Sequence, residues 1–151
     1  MVDEKAPPTV GMLGTLAVVA VATLPYLTLP SADLSVPFLA LPSADASGLD
    51  LYYGYGLVGP WGVTLLAVVV AVAFAAGRQD RTPPETVAGA TVGIGVVMAL
   101  FALQWAFAVD ESVVFQLSTA EWIEYHRWAF VAVSLLVPVS AGWYAKALRL
   151  V

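Results

Sequence analysis

The sequence predicts an all-α integral membrane protein, a bundle of four transmembrane helices, and three observations lead there. Of 151 residues, 60% are hydrophobic and only 11% are charged, against roughly 25% charged residues in ordinary soluble domains. Mean hydropathy is +0.86. The apolar residues also fall into four long runs, each near the about 20 residues that a helix needs to cross a bilayer.

The first span, 10–29, follows the polar head MVDEKAPPT. A secretory signal would carry a positive n-region, a shorter apolar core and a small-residue cleavage site. This segment lacks all three and reads as a retained helix, kinked by Pro25 inside it. Residues 30–56 form a long outer loop. It holds the near-repeat LPSAD at 29–33 and 41–45, each copy a proline turn whose Asp can bond nearby backbone. The LSVPFLA between them reads as a short strand or an interfacial loop.

The second span, 57–77, has Pro60 near its start, where a missing N–H costs least. The hairpin RQDRTPPE then turns the chain. Thr82 and Glu85 have the spacing of a capping box, with Pro83 at the first helical position, and the third span follows at 86–109. After the polar loop DESVVFQLSTAE, Ser118 and Glu121 make a second such box. The fourth helix therefore begins near 119, ahead of its apolar part at 128–148. At 1.5 Å per residue, its about 30 residues reach roughly 45 Å, beyond a hydrocarbon core of about 30 Å. Its start, 119–127, is thus expected at the interface. Pro138 should kink this helix as Pro25 does the first.

Charge sets the expected orientation. Lys5, Arg78, Arg81, Lys146 and Arg149 fall on one side of four alternating spans, and only Arg127 falls on the other. By the positive-inside rule both termini and the short hairpin are cytoplasmic, in a multi-pass protein of the plasma membrane. The outer side then carries Asp33, Asp45, Asp50, Asp110, Glu111, Glu121 and Glu124 and most of the Tyr and Trp residues. On that acidic, aromatic surface Tyr52, Tyr53, Tyr55, Trp61, Glu121, Glu124 and Trp128 are the candidate interface residues.

A net charge of −5 argues against nucleic acid and against a polybasic lipid anchor. With no cysteine, disulfides, thiolate catalysis, zinc–thiolate sites and vitamin-K-reductase-type dithiol chemistry are all excluded. The two lysines, Lys5 and Lys146, the exposed acids and the Ala/Val/Thr richness resemble the proteins of halophilic archaea. In composition the chain is similar to the small uncharacterised four-helix membrane proteins of those organisms, a resemblance that implies a habitat and no activity.

Between their charged ends the four runs hold no Asp, Glu, Lys, Arg or His. Proton relays and coupling-ion sites are built from such residues, and small multidrug exporters depend on a membrane glutamate in the first helix that this chain lacks. The strongest polar side chain within a span is Gln104, read as an interhelical hydrogen bond or a ligand contact. Thr15, Thr23, Thr64, Thr91, Ser134 and Ser140 can bond their own helix backbone. Small-xxx-small spacings at Gly89 and Gly93, at Ala67, Ala71 and Ala75, and at Ala102 and Ala106 predict the seam of the bundle, with dimerisation as the alternative.

The only histidine lies in WIEYHRW, 122–128. At about 100° per residue, Glu121, Glu124, Tyr125 and Trp128 share one face, whereas His126 shares its own only with Trp122. Glu124 and His126 stand about 160° apart and form no acid–base pair from this helix. The stretch therefore reads as an interfacial collar, with the Trp122/His126 face awaiting a partner from another loop. Asp33, Asp45, Asp50, Asp110 and Glu111 are the carboxylates to supply it, and Arg127 is expected to pair with Glu124 at i−3.

The leading functional expectation is a membrane subunit that is not an enzyme, with no catalytic residue, metal or cofactor. It would contact membrane lipid and other membrane-protein subunits, or itself, in an accessory or assembly role. One alternative is an oligomeric pathway for a small solute or ion, lined by Thr, Ser and Gln104. Another is a redox subunit in which His126, Trp122 and Gln104 contact a quinone or haem, although one histidine excludes bis-His ligation by this chain alone.

Overall fold

The computed structural model describes residues 3, 5–28, 48–116 and 122–151, and the side chains among these except at 27, 28, 48–50 and 116. The LPSAD repeat, LSVPFLA, Asp33, Asp45, Glu121 and the Ser118/Glu121 capping box lie outside the described residues, as does the side chain of Asp50. Among the described residues there are six helices and no strand: α1 (Ala6–Thr28), α2 (Gly48–Gly54), α3 (Gly59–Arg78), α4 (Pro84–Ala108), α5 (Glu111–Gln116) and α6 (Ile123–Ala147). Four of them, α1, α3, α4 and α6, are long and apolar enough to cross a membrane.

These four pack as a closed ring. α1 lies against α3 and α6, and α4 lies against the same two. At one end the close of α1 meets the start of α6, where Val21 touches His126. At the other, Gly77 of α3 lies beside Val87 of α4 and Tyr144 of α6, and Lys5 shares a cavity with Arg78. The helices therefore alternate in direction around the ring.

Each long helix turns one face inward and leaves apolar residues outside. α4 buries Ala88, Thr91, Gly95, Met98, Ala102 and Trp105, a stripe of helical period. Val96, Leu100 and Phe107 stand exposed on the same helix, as do Leu65 and Val72 on α3 and Leu135 and Val139 on α6. In hydrocarbon those outward side chains cost nothing, which is why a bundle of this kind needs no polar coat.

The seam differs from the expected one at its glycines. Gly89 and Gly93 are exposed, and no described neighbour lies within 4 Å of a Cβ built on either. Gly95 makes the close approach instead: a Cβ there would lie 3.0 Å from the Pro138 nitrogen. Gly93 is about 160° around the helix from Gly95, so the two cannot face the same neighbour. On α3, Ala67 is buried and Ala71 and Ala75 are half-buried; on α4, Ala102 and Ala106 are buried.

The Thr82/Glu85 capping box does not form. α4 starts one residue later, with Pro83 as its N-cap at φ −52 and ψ 127 and no side-chain cap bond. A residue before proline is pushed out of the helical region, so Pro84 holds Pro83 extended. The Val87 N–H then donates to the Pro83 carbonyl at 3.2 Å. Two short helices also stand where loops were expected: α2 within 30–56 and α5 within DESVVFQLSTAE. α5 is capped by Asp110, whose carboxylate accepts the Ser112 N–H at 2.8 Å, and this bond holds the carboxyl below its ordinary pKa.

Of the hydroxyls inside the spans, Thr23, Thr64, Thr91 and Ser134 donate to the carbonyl four residues back and Thr15 and Ser140 to the one three back. Each hydroxyl donor is thus satisfied by its own helix.

Candidate functional site

The end of the bundle where α1 finishes and α6 begins is closed by aromatic rings around His126. Tyr52 and Tyr53 come from α2, Trp105 from the last turn of α4, and Trp122 from the residue before α6. Tyr52 and Trp105 are fully buried, and His126 is 3% exposed. Trp105 sets its ring edge-on to Tyr52 at 5.1 Å between centroids and to Phe130 at 5.5 Å, the arrangement that aromatic quadrupoles favour.

The histidine has protein partners at both nitrogens. Nε2 lies 2.7 Å from the Val21 carbonyl of α1, an acceptor only, so Nε2 carries the proton. Nδ1 lies 3.1 Å from the Tyr52 hydroxyl and in the neutral ring accepts from it. The Tyr53 hydroxyl donates to the Ala22 carbonyl at 2.6 Å, and its 3.5 Å to Nε2 is a contact at the edge of bonding range. Burial pushes both phenols well above their ordinary pKa, although the nearby Arg127 charge acts the other way on Tyr52. They stay protonated as donors.

The Val21 carbonyl needs this donor for a reason written in the sequence. In an α-helix it would accept the N–H of the residue four ahead, which is Pro25. Proline has no N–H, so the carbonyl loses its partner, and a buried polar group left unmet costs about 1–3 kcal/mol. His126 supplies the missing proton from α6. The proline and the histidine are two halves of one device. Proline is tolerated inside a spanning helix when a neighbour satisfies the freed group.

Two further bonds fix the same end. The Trp105 indole N–H donates to the Tyr52 carbonyl at 3.0 Å, holding α2 on α4, and the Trp61 indole donates to the Tyr26 hydroxyl at 3.3 Å. Outside the cluster, the Gln104 side-chain oxygen accepts the Leu57 N–H at 3.0 Å. Gly56 permits this: its φ is +82, and a Cβ there would lie 2.7 Å from the Gln104 oxygen.

The expected site residues thus separate into three groups. His126 and Trp122 do meet, edge to face at 6.0 Å, but the partners of His126 are tyrosines and a backbone carbonyl rather than a carboxylate. Gln104 is exposed and ties a loop to the outside of α4, away from any interior pathway. Of the interface candidates, Glu124 and Trp128 are exposed, Tyr55 and Trp61 half-buried, and Tyr52 and Tyr53 internal. Those two are core residues because their hydroxyls find acceptors inside. WIEYHRW is likewise split, with Ile123 and His126 inward and Glu124, Tyr125 and Trp128 outward.

Arg127 also departs from expectation. Among the described residues no ion pair joins it to Glu124; its guanidinium carbon lies 5.5 Å from the centre of the Trp128 ring. Its Nε is buried and has no hydrogen-bond partner among the described residues.

With both nitrogens engaged, His126 offers no position to an iron or a quinone. What the cluster does chemically is hold α1, α2, α4 and α6 together at one end. Fold and site define an all-helical chain with four helices able to cross a membrane and an aromatic, hydrogen-bonded closure at one end. Over residues 31–149 it matches the Family of unknown function (DUF7548), and it belongs to that family. No curated protein and no solved structure matches it.

Proposed function

We propose that this chain is a non-catalytic subunit of an assembly in the plasma membrane, with both termini on the cytoplasmic side. The observation that carries the reading is the placement of its ionisable groups. Every described acid and base lies toward one of the two ends, and the one buried polar cluster is internally bonded. Such a molecule has surfaces to offer and no reaction centre. The hydroxyls bonded to their own helices and the outward Gln104 count against a pathway through the bundle.

Two surfaces are available for association with other subunits or with a second copy. One is the outward face of α4, where Gly89 and Gly93 would let another helix backbone approach closely. The other is the acidic, aromatic rim that includes Glu124 and Trp128. The acid-rich composition fits a salt-adapted surface of the halophilic kind. The test is purification from the native host in mild detergent followed by native mass spectrometry. A stoichiometric partner or a defined oligomer is expected, and Gly93→Leu weakens it if α4 is the face used. A monomer without a partner would end this reading.

A further inference from the structure

Beside the closed end lies an open cavity of about 380 Å³ whose lining includes Glu111, Phe115, Glu124, Tyr125, Arg127 and Trp128. This volume falls in the roughly 300–1,000 Å³ range of small-molecule sites. Its chemistry is divided: one guanidinium and two carboxylates among three aromatic rings. Arg127 is the single basic residue at this end of the bundle. Its Nε is the one buried side-chain polar atom without a hydrogen-bond partner among the described residues, and none of them pairs with it as a carboxylate.

We infer that this cavity binds a zwitterionic headgroup, a phosphate joined by a short linker to an ammonium group. The phosphate meets the terminal nitrogens of Arg127, two parallel donors of a planar guanidinium suited to two oxygens. The ammonium meets Glu111 and Glu124 and the faces of Tyr125 and Trp128, which attract cations. A simple anion fits less well, because two carboxylates stand at the same cavity. A simple cation fits less well, because the guanidinium repels it. The aromatic side chains are also those that sit at the headgroup level of a bilayer. The inference does not depend on the assembly role, which the α4 face or a partner elsewhere can serve.

The contrast with the opposite end supplies a control. There a cavity of about 210 Å³ is lined by Lys5, Met12, Ala75, Arg78 and Gln79, with cations and, among the described residues, no carboxylate. Anionic lipid held at that end is insensitive to changes at Arg127.

The full-length protein in detergent is titrated with phosphatidylethanolamine, with phosphatidylglycerol and with soluble phosphoethanolamine, bound molecules being counted by native mass spectrometry. Phosphatidylethanolamine is expected to bind in an Arg127-dependent manner, with about tenfold weaker retention in Arg127→Gln. Glu111→Gln/Glu124→Gln, on exposed positions that do not carry the fold, is expected to shift the Arg127-dependent preference toward phosphatidylglycerol. Binding of soluble phosphoethanolamine as well assigns the headgroup alone as the ligand; binding of the lipid only assigns the bilayer as its source. Unchanged retention in Arg127→Gln overturns the inference. Equal Arg127-dependent retention of both lipids, or no shift in the double glutamate variant, also overturns it.

Discussion

The two ends of the bundle use opposite means. At the end around His126, four helices and α2 converge on rings in contact and on hydrogen bonds that use backbone carbonyls as acceptors. At the other end Lys5, Arg78, Arg81, Lys146 and Arg149 are exposed, and no ion pair is formed among the described residues. One end is held by desolvated partners, where a missing bond has no water to replace it. The other is coated by charges that water satisfies, where single groups add little. Mechanical integrity is concentrated at the aromatic end, and the orientation proposed for the chain in the membrane would rest on the basic end.

The most severe way to break that contrast is Trp105→Ala. It empties a fully buried site and removes the bond to the Tyr52 carbonyl, so a loss of about 3–5 kcal/mol is expected in reversible unfolding from mixed micelles. A stability as high as wild type would mean that α2 does not close the bundle.

His126→Ala comes next, at about 2–3 kcal/mol, since it strands the Val21 carbonyl and the Tyr52 hydroxyl together. This variant also sharpens the comparison through a cycle with Pro25→Ala. Alanine at 25 restores the N–H that Val21 lacks, so His126→Ala in that background is expected to cost about 1 kcal/mol less. Additive effects would separate the proline from the histidine. Tyr53→Phe, which deletes only the hydroxyl donated to Ala22, is expected to cost about 1 kcal/mol by the same unfolding measurement.

At the basic end, Lys146→Gln is expected to change stability by no more than about 0.5 kcal/mol. Its effect belongs to insertion instead: with Arg149→Gln added, a larger share of inverted molecules is expected from cysteine labelling at an introduced terminal site. A large loss of stability here would erase the difference between the ends.

The histidine cluster could have been approached from the sequence by one signal that was present. Pro25 near the end of the first apolar run announces an unpaired carbonyl at Val21, which a donor on a neighbouring helix can meet. Counting side chains alone points to a carboxylate for His126 and leaves this backbone acceptor out. Tyr52 and Tyr53 suggest a surface for a similar reason: adjacent tyrosines in a polar segment look interfacial, and only a short helix laid across the bundle end buries both.

The sequence by itself determined four apolar helices, their approximate bounds and the grouping of the basic residues at one end, because hydrophobic length and charge are local properties that any packing must respect. It also pointed to hydroxyls within the spans bonding the carbonyl four residues back, as Thr23, Thr64, Thr91 and Ser134 do, whereas Thr15 and Ser140 reach three back. The tertiary structure decided which face of α4 is the seam. Glycines at 89, 93 and 95 are chemically the same residue, and only the position of Pro138 selects Gly95 for contact. It likewise decided that the histidine closes a gap left by a proline 101 positions earlier in the chain. Such a pairing depends on which helices become neighbours, and no local pattern in either segment encodes that.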